Sequence, residues 1–211
     1  MGALIARQVS GILAAQSARS GLPSAQESTE GGTRTPVLSE EESKATLARL
    51  ADEVGKGGEI NDLVLVGIRR RGDHLAARLA SHLLSRHETD VPTGSLDITL
   101  YRDDFAQIGP RPIIGVTDIP VDLTDRRVVV VDDVLFTGRT IRAALNELAD
   151  FGRPRRIELC VLIDRGGREL PIHADYVGTT VEVGVGQRVV VHVPEEDGEL
   201  GAFLESEQEA G

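Results

Sequence analysis

Apolar residues along this chain come in two rhythms, and their order predicts alternating strands and helices. Leu63-Val64-Leu65-Val66, Val128 to Val131 and Ile157 to Ile163 are short unbroken apolar runs. Runs of that length, rich in β-branched residues, predict strands covered on both faces. Between them the spacing changes. Leu47, Leu50 and Val54 recur at helical intervals after Ser39-Glu40-Glu41-Glu42, a capping-box start, and Gly55 with Gly57-Gly58 marks the stop. Leu75, Leu79, Leu83 and Leu84 predict the apolar face of a helix over Asp73 to Arg86. Ala143, Ala144, Leu145 and Leu148 do the same for a helix over Thr140 to Asp150, which Phe151-Gly152 ends. Leu96 to Tyr101 alternates as a strand, and Tyr176-Val177 and Val189 to Val193 predict short ones. Strand–helix–strand order of this kind predicts an α/β fold, a doubly wound and mostly parallel sheet with right-handed crossovers.

The ends read differently. Residues 16–36 are rich in Ser, Gly, Thr and Pro and bury nothing. One ordered domain is therefore expected over residues 39–194, after a disordered extension at 1–38 and before an acidic tail at 195–211. Residues 103–124 hold three prolines and two glycines with little periodicity, a length expected of a functional arm. No internal repeat is visible, and no apolar stretch approaches the length of a membrane span.

Composition refines this picture in three places. Aromatics are only 3% of the chain and Trp is absent, so the core must rest on Val, Leu, Ile and Ala. The net charge of −11 looks unfavourable for nucleic acid, but it is unevenly spread. Residues 195–211 hold seven acids and no base and residues 1–43 a net −2, so the body from Lys44 to Pro194 carries only −2. A body so near neutrality can present a basic face. The single cysteine, Cys160, lies inside an apolar run, as a packed thiol would in a reducing cytoplasm.

The chemistry concentrates at 128–140, VVVVDDVLFTGRT. Ligands of open α/β sheets bind beyond the carboxyl ends of the strands. Adjacent carboxylates there, Asp132 and Asp133, point to opposite faces and call for hydroxyl or cationic partners such as a ribose diol and a nearby magnesium ion. Thr137, Gly138, Arg139 and Thr140 then place small residues and free backbone N–H groups at a helix N-terminus, where a phosphate binds. A capped strand–helix turn alone would show one of these features but not all three at this spacing. No Ser/His/Asp triad or metal-ligating His/Cys cluster is apparent.

That segment resembles the signature by which type I phosphoribosyltransferases bind 5-phosphoribosyl-1-pyrophosphate (PRPP). Leu65-Val66-Gly67-Ile68-Arg69-Arg70-Arg71-Gly72 resembles the family's pyrophosphate loop. Asp97 to Asp104, Asp118 to Asp122 and Asp164 to Ile172 (DRGGRELPI) complete a pattern similar to the pyrimidine operon regulators, which are also uracil phosphoribosyltransferases. The resemblance implies PRPP, uracil and UMP as ligands, Mg2+ carried mainly by PRPP, and UMP-dependent binding of pyrimidine-operon mRNA (attenuation). It implies a cytoplasmic homodimer or higher homo-oligomer.

Carried over by motif, Asp132 and Asp133 hold the ribose, and residues 137–140 the 5′-phosphate. Arg69, Arg70, Arg71 and Gly72 serve pyrophosphate, with Arg71 counted beside the two aspartates as catalytic. Arg102, Asp103 and Asp104 open a flexible arm, and Arg165, Arg168 and His173 are the RNA candidates. His173 and Thr179 stand where relatives carry Arg and Lys, which predicts weaker RNA binding. Arg70 stands where Thr is usual, which bears on turnover rather than on binding. Two alternatives stand beside the bifunctional reading, and Arg70 favours the first. One is a PRPP- or UMP-sensing RNA-binding regulator with little catalysis, and the other a phosphoribosyltransferase for a different base.

Overall fold

Alternation along the central strands decides which helix covers which face. In a strand, successive side chains point to opposite sides of the sheet. Leu63, Leu65, Val129, Val131, Cys160 and Leu162 fall in one buried cluster, while Val64, Val66, Val128, Val130, Leu159 and Val161 fall in another. The computed structural model, which describes residues 34–98 and 116–206, places α1 (Glu40–Lys56) and α2 (Arg71–His87) over the first set. It places α3 (Arg139–Leu148) over the second. The strands between these layers are β2 (Leu63–Ile68), β3 (Thr93–Leu96), β4 (Arg127–Leu135), β5 (Arg156–Asp164) and β6 (Tyr176–Thr180). All pair in parallel, in the order β3-β2-β4-β5-β6. The expected doubly wound parallel sheet is therefore present.

This order carries the chain outward from β2 to the edge strand β3 and then back across to β4 on the other side of β2. The connections diverge between β2 and β4, and such a switch point opens a crevice at the strands' carboxyl ends.

Several boundaries differ from the sequence expectation. β3 runs Thr93–Leu96 and pairs with β2 as far as Ile68, where β2 ends, so Asp97 and Ile98 fall outside it; residues 99–101 of the expected strand lie outside the described residues. α2 starts two residues early. Leu84 and Leu145 are exposed, each lying about 100° round its helix from the buried residue before it. The capping box at Ser39 is present, with Glu42 donating its N–H to the Ser39 hydroxyl and accepting from the Ser39 N–H.

The expected domain limits also move. β1 (Arg34–Leu38), β7 (Gln187–His192) and β8 (Gly201–Ser206) form a second, antiparallel sheet in the order β1-β8-β7. Most of the acidic segment after residue 194 is therefore folded rather than a solvated tail. Val189, Val191, Leu200 and Ala202 bury against the same cluster as α1 and α2, which is what holds this sheet in place. The expected extension up to residue 33 and the arm residues Arg102, Asp103 and Asp104 lie outside the described residues.

Candidate active site

At the switch point, two loops approach each other through glycine. Gly67 lies one residue before the end of β2 and Gly72 is the second residue of α2, and a Cβ on Gly72 would stand 2.4 Å from the Val131 carbonyl oxygen. Only glycine lets the Arg69–Gly72 turn lie this close to the end of β4. The Arg69–Arg70 peptide in that turn is cis. The Arg69 guanidinium donates to the Ser95 hydroxyl at 3.0 and 3.1 Å, tying the turn to β3.

Both aspartates lie within β4, which continues past them to Leu135 because Asp132, Val134 and Leu135 still pair with β5. Asp132 is 6% exposed. Its Oδ1 accepts the Asp133 N–H at 3.0 Å, and Asp133 Oδ1 accepts the Val134 N–H at 2.9 Å. Burial raises the Asp133 carboxyl above the ordinary aspartate range, and the neighbouring Arg71 charge only partly offsets this. A half-buried carboxylate whose charge is only partly offset gains from a ligand that brings hydroxyl donors or a cation.

Beyond β4, Gly138 adopts φ 91°, a left-handed turn that side chains resist, and α3 begins at the next residue. The Thr137 carbonyl accepts the N–H groups of Glu169 and Leu170, so the turn is braced from the loop after β5. A cleft of about 330 Å³ follows it, lined by residues 134–141 with Asp132 and Arg165. A second, more polar cleft of about 240 Å³ lies between Ile68–Arg71 and Asp132–Val134. Asp132, Val134 and Thr140 line both, so the two clefts lie on either side of the β4 acids. The site residues expected from the sequence in the described part of the chain, apart from Gly72, Arg168 and His173, therefore gather around one bipartite cavity.

The three RNA candidates separate. The Arg165 guanidinium stacks over the Phe136 ring, 3.9 Å from its centroid, beside the larger cleft. Arg168 is turned inward. It donates to the Asp164 carboxylate and to the carbonyls of Leu135, Phe136, Gly166 and Ile172, which leaves it clamping the β4–β5 loops. His173 is exposed on a hollow shared with Ile141, Leu145 and Ile157.

Two participants escaped the sequence reading. Phe136 lies inside the motif but carries no charge to draw notice. Asp197, in α4 (Pro194–Asp197), receives the Arg71 fork: Nε donates to Oδ2 at 3.1 Å and Nη2 to Oδ1 at 2.9 Å. It stands in a run of acids where no spacing distinguishes it.

The likeness to known proteins agrees with this geometry. The model of the phosphoribosyl transferase domain matches residues 35–196. The bifunctional protein PyrR of Chloroflexus aurantiacus is 52% identical over 168 residues, covering 79% of this chain and 92% of that protein. Its counterpart in a Roseiflexus species is 51% identical over 170 residues, covering 80% and 93%. Among solved structures, a hypoxanthine-guanine phosphoribosyltransferase from Bacillus anthracis superposes with a TM-score of 0.62 at 21% identity, over 81% of this chain and 96% of that one. The hypoxanthine phosphoribosyltransferase of Trypanosoma cruzi gives 0.64 at 22% identity, over 86% and 98%. At such identities the superpositions speak for the fold alone. The family match and the half-identical relatives span the sheet, both clefts and the acid pair, and the chain belongs to the phosphoribosyl transferase domain family, among the bifunctional PyrR proteins.

Proposed function

We propose that the chain transfers the 5-phosphoribosyl group of PRPP to N1 of uracil, giving UMP and pyrophosphate, and that it also regulates pyrimidine-operon transcription by UMP-dependent mRNA binding. The observation that carries the enzymatic reading is the bipartite cavity. A phosphate turn at the start of α3 and an arginine-lined loop at the start of α2 flank one acid pair, Asp132 buried and Asp133 half-buried.

In this reading the backbone N–H groups of Thr137 to Thr140 and the positive end of α3 hold the 5′-phosphate. Asp132 and Asp133 accept the ribose hydroxyls. Arg69 to Gly72 take the pyrophosphate. The C1′–O bond breaks with its electron pair leaving on pyrophosphate, the C1′–N1 bond forms, and uracil loses its N1 proton. Positive charge accumulates at C1′ on the way, close to the acid pair, while negative charge gathers in the arginine loop. The chain's work is to align the partners and stabilise those two charges.

Magnesium fits the site as a companion of the substrate. Among the described residues no three His, Cys, Asp or Glu side chains converge to hold an ion. PRPP oxygens would be its main ligands, with Asp132 and Asp133 facing it, and it would neutralise charge on the leaving group.

Turnover of PRPP, magnesium and radiolabelled uracil to UMP tests the proposal, run beside an Asp132→Asn/Asp133→Asn variant and a panel of other free bases. UMP formation by the native chain alone is the expected result. Turnover of hypoxanthine or guanine instead would reassign the base. UMP binding without turnover would reduce the protein to a sensor.

RNA binding rests on the resemblance and on the bifunctional relatives. Because Arg168 is engaged internally, Arg165, beside the larger cleft, is the arginine of the RNA candidates better placed to meet a phosphate. A gel-shift with a pyrimidine-leader RNA, with and without UMP, tests this role. UMP-independent or absent binding would refute it. No described helix is long and apolar enough to cross a membrane; a cytoplasmic homo-oligomer remains part of the proposal, and sedimentation velocity checks its oligomeric state.

A further inference from the structure

The acidic segment after residue 194 does not face solvent alone. Arg71, His74 and Arg78 follow one another on one side of α2, and they meet Asp197, Glu196 and Glu195 in reverse order. The Arg78–Glu195 pair closes at 3.0 Å, and His74 Nε2 lies 3.5 Å from Glu196. The Arg71–Asp197 pair differs from the other two. It uses two parallel N–H···O contacts, and Asp197 is the most enclosed of the three acids, its side chain only 15% exposed. Asp197 Oδ2 also accepts the Val193 N–H at 2.9 Å, which locks the carboxylate to its own helix. The Arg71 fork holds its carboxyl below the usual aspartate range, so it is charged at neutral pH.

Arg71 lines the cleft between the arginine loop and the acid pair, whereas Asp197 does not. The guanidinium therefore spans from the cleft to a carboxylate behind it. The Nε–H and one Nη2–H, a single edge of the guanidinium, are taken by Asp197, which leaves the Nη1 amine and the second Nη2–H for a ligand. A bidentate fork fixes the plane of the guanidinium as well as its position. We propose that Asp197 is a positioning residue, which presents Arg71 to the pyrophosphate group of PRPP. This rests on the functional reading above, because it deepens the role of the same cleft. The second sheet and its acidic turn are thereby coupled to the leaving-group end of the site.

The test is calorimetric titration of the full chain with PRPP, magnesium pyrophosphate and UMP, beside steady-state kinetics, for Asp197→Asn and Glu195→Gln. Losing a partner that orients a contacting group costs about tenfold at the low end. Asp197→Asn should therefore raise the dissociation constants of pyrophosphate and PRPP by about tenfold, and the KM for PRPP with them. UMP lacks the pyrophosphate, so its affinity should stay unchanged, whereas kcat should fall, because the negative charge that Arg71 meets grows on the leaving group in the transition state. Glu195→Gln breaks a neighbouring pair of the same segment and should alter none of these. Retained UMP binding by Asp197→Asn also shows that the variant is folded. Unchanged pyrophosphate affinity in Asp197→Asn would overturn the proposal. Tighter affinity would overturn it too, by making Asp197 a competitor for Arg71. An equal loss in Glu195→Gln would trace the effect to packing of the segment. Failure of the native chain to bind PRPP at all would instead sink the functional reading, and this inference with it.

Discussion

Replacing Gly72 with alanine probes the contact that seats the arginine loop on the end of β4. The new Cβ would lie 2.4 Å from the Val131 carbonyl oxygen and 3.2 Å from the Asp132 Cα, both backbone atoms that cannot rotate away. An ordinary C···O contact begins near about 3.3 Å, so the start of α2 and the end of β4 must part by about 0.9 Å. Two effects on stability oppose each other. Alanine is the better helix former by at most about 1 kcal/mol, while overpacking costs about 1–3 kcal/mol. The steric term wins, and a net loss of up to about 2 kcal/mol leaves an ordinary domain folded. Catalysis should suffer more. A displacement of about 1 Å between the pyrophosphate loop and Asp132 costs about 100-fold in rate, or about 2.7 kcal/mol in the barrier. Urea unfolding and UMP formation at varied PRPP would read the two effects separately. A variant with native kcat/KM, or one stabilised by its helix propensity, would refute the claim that this close approach sets the site.

Three further expectations follow from burial. The Asp133 carboxyl is raised in the folded state by desolvation. Its contribution to stability is therefore fully present below the unfolded pKa of about 3.9 and is lost as pH rises through the folded value. Asp133→Asn should accordingly raise the urea midpoint at neutral pH while abolishing turnover, and a lower midpoint would contradict this. Arg127 and Glu158 form a buried pair at 2.7 Å, with side chains 3% and 1% exposed. Glu158→Leu would strand the guanidinium on the Val54 carbonyl and the Tyr176 hydroxyl, at a cost of about 3–5 kcal/mol by denaturant unfolding. A loss below about 1 kcal/mol would refute the claim that the buried guanidinium depends on Glu158. Burial pushes the Cys160 thiol up to about 12. The native protein should resist thiol reagents at mildly alkaline pH and react only on unfolding; labelling of the folded chain would refute the packing of β5.

The core sheet and the acid–turn motif were legible in the sequence because their signals are local. Val128 to Val131 reads as a buried strand wherever it is met. Asp132-Asp133 and Thr137 to Thr140 follow it at a distance fixed by a strand end and a helix start. Capping at Ser39 is likewise a contact between residues three apart. What only tertiary structure decided depends on contacts between distant residues. β1 and β8 pair Arg34 with Glu205, and no local pattern announces that register across so long a separation. Arg168 resembles a free surface cation in sequence, yet five acceptors from separate loops converge on it. Leu84 and Leu145 match their helices in hydrophobicity but miss the core by one residue's rotation. Asp197 is one acid among several until the turn at α4 brings it against Arg71. Composition and spacing determine which elements form and what chemistry they carry. Which charges meet, and which are spent inside the fold, is set by chain crossings that only packing selects.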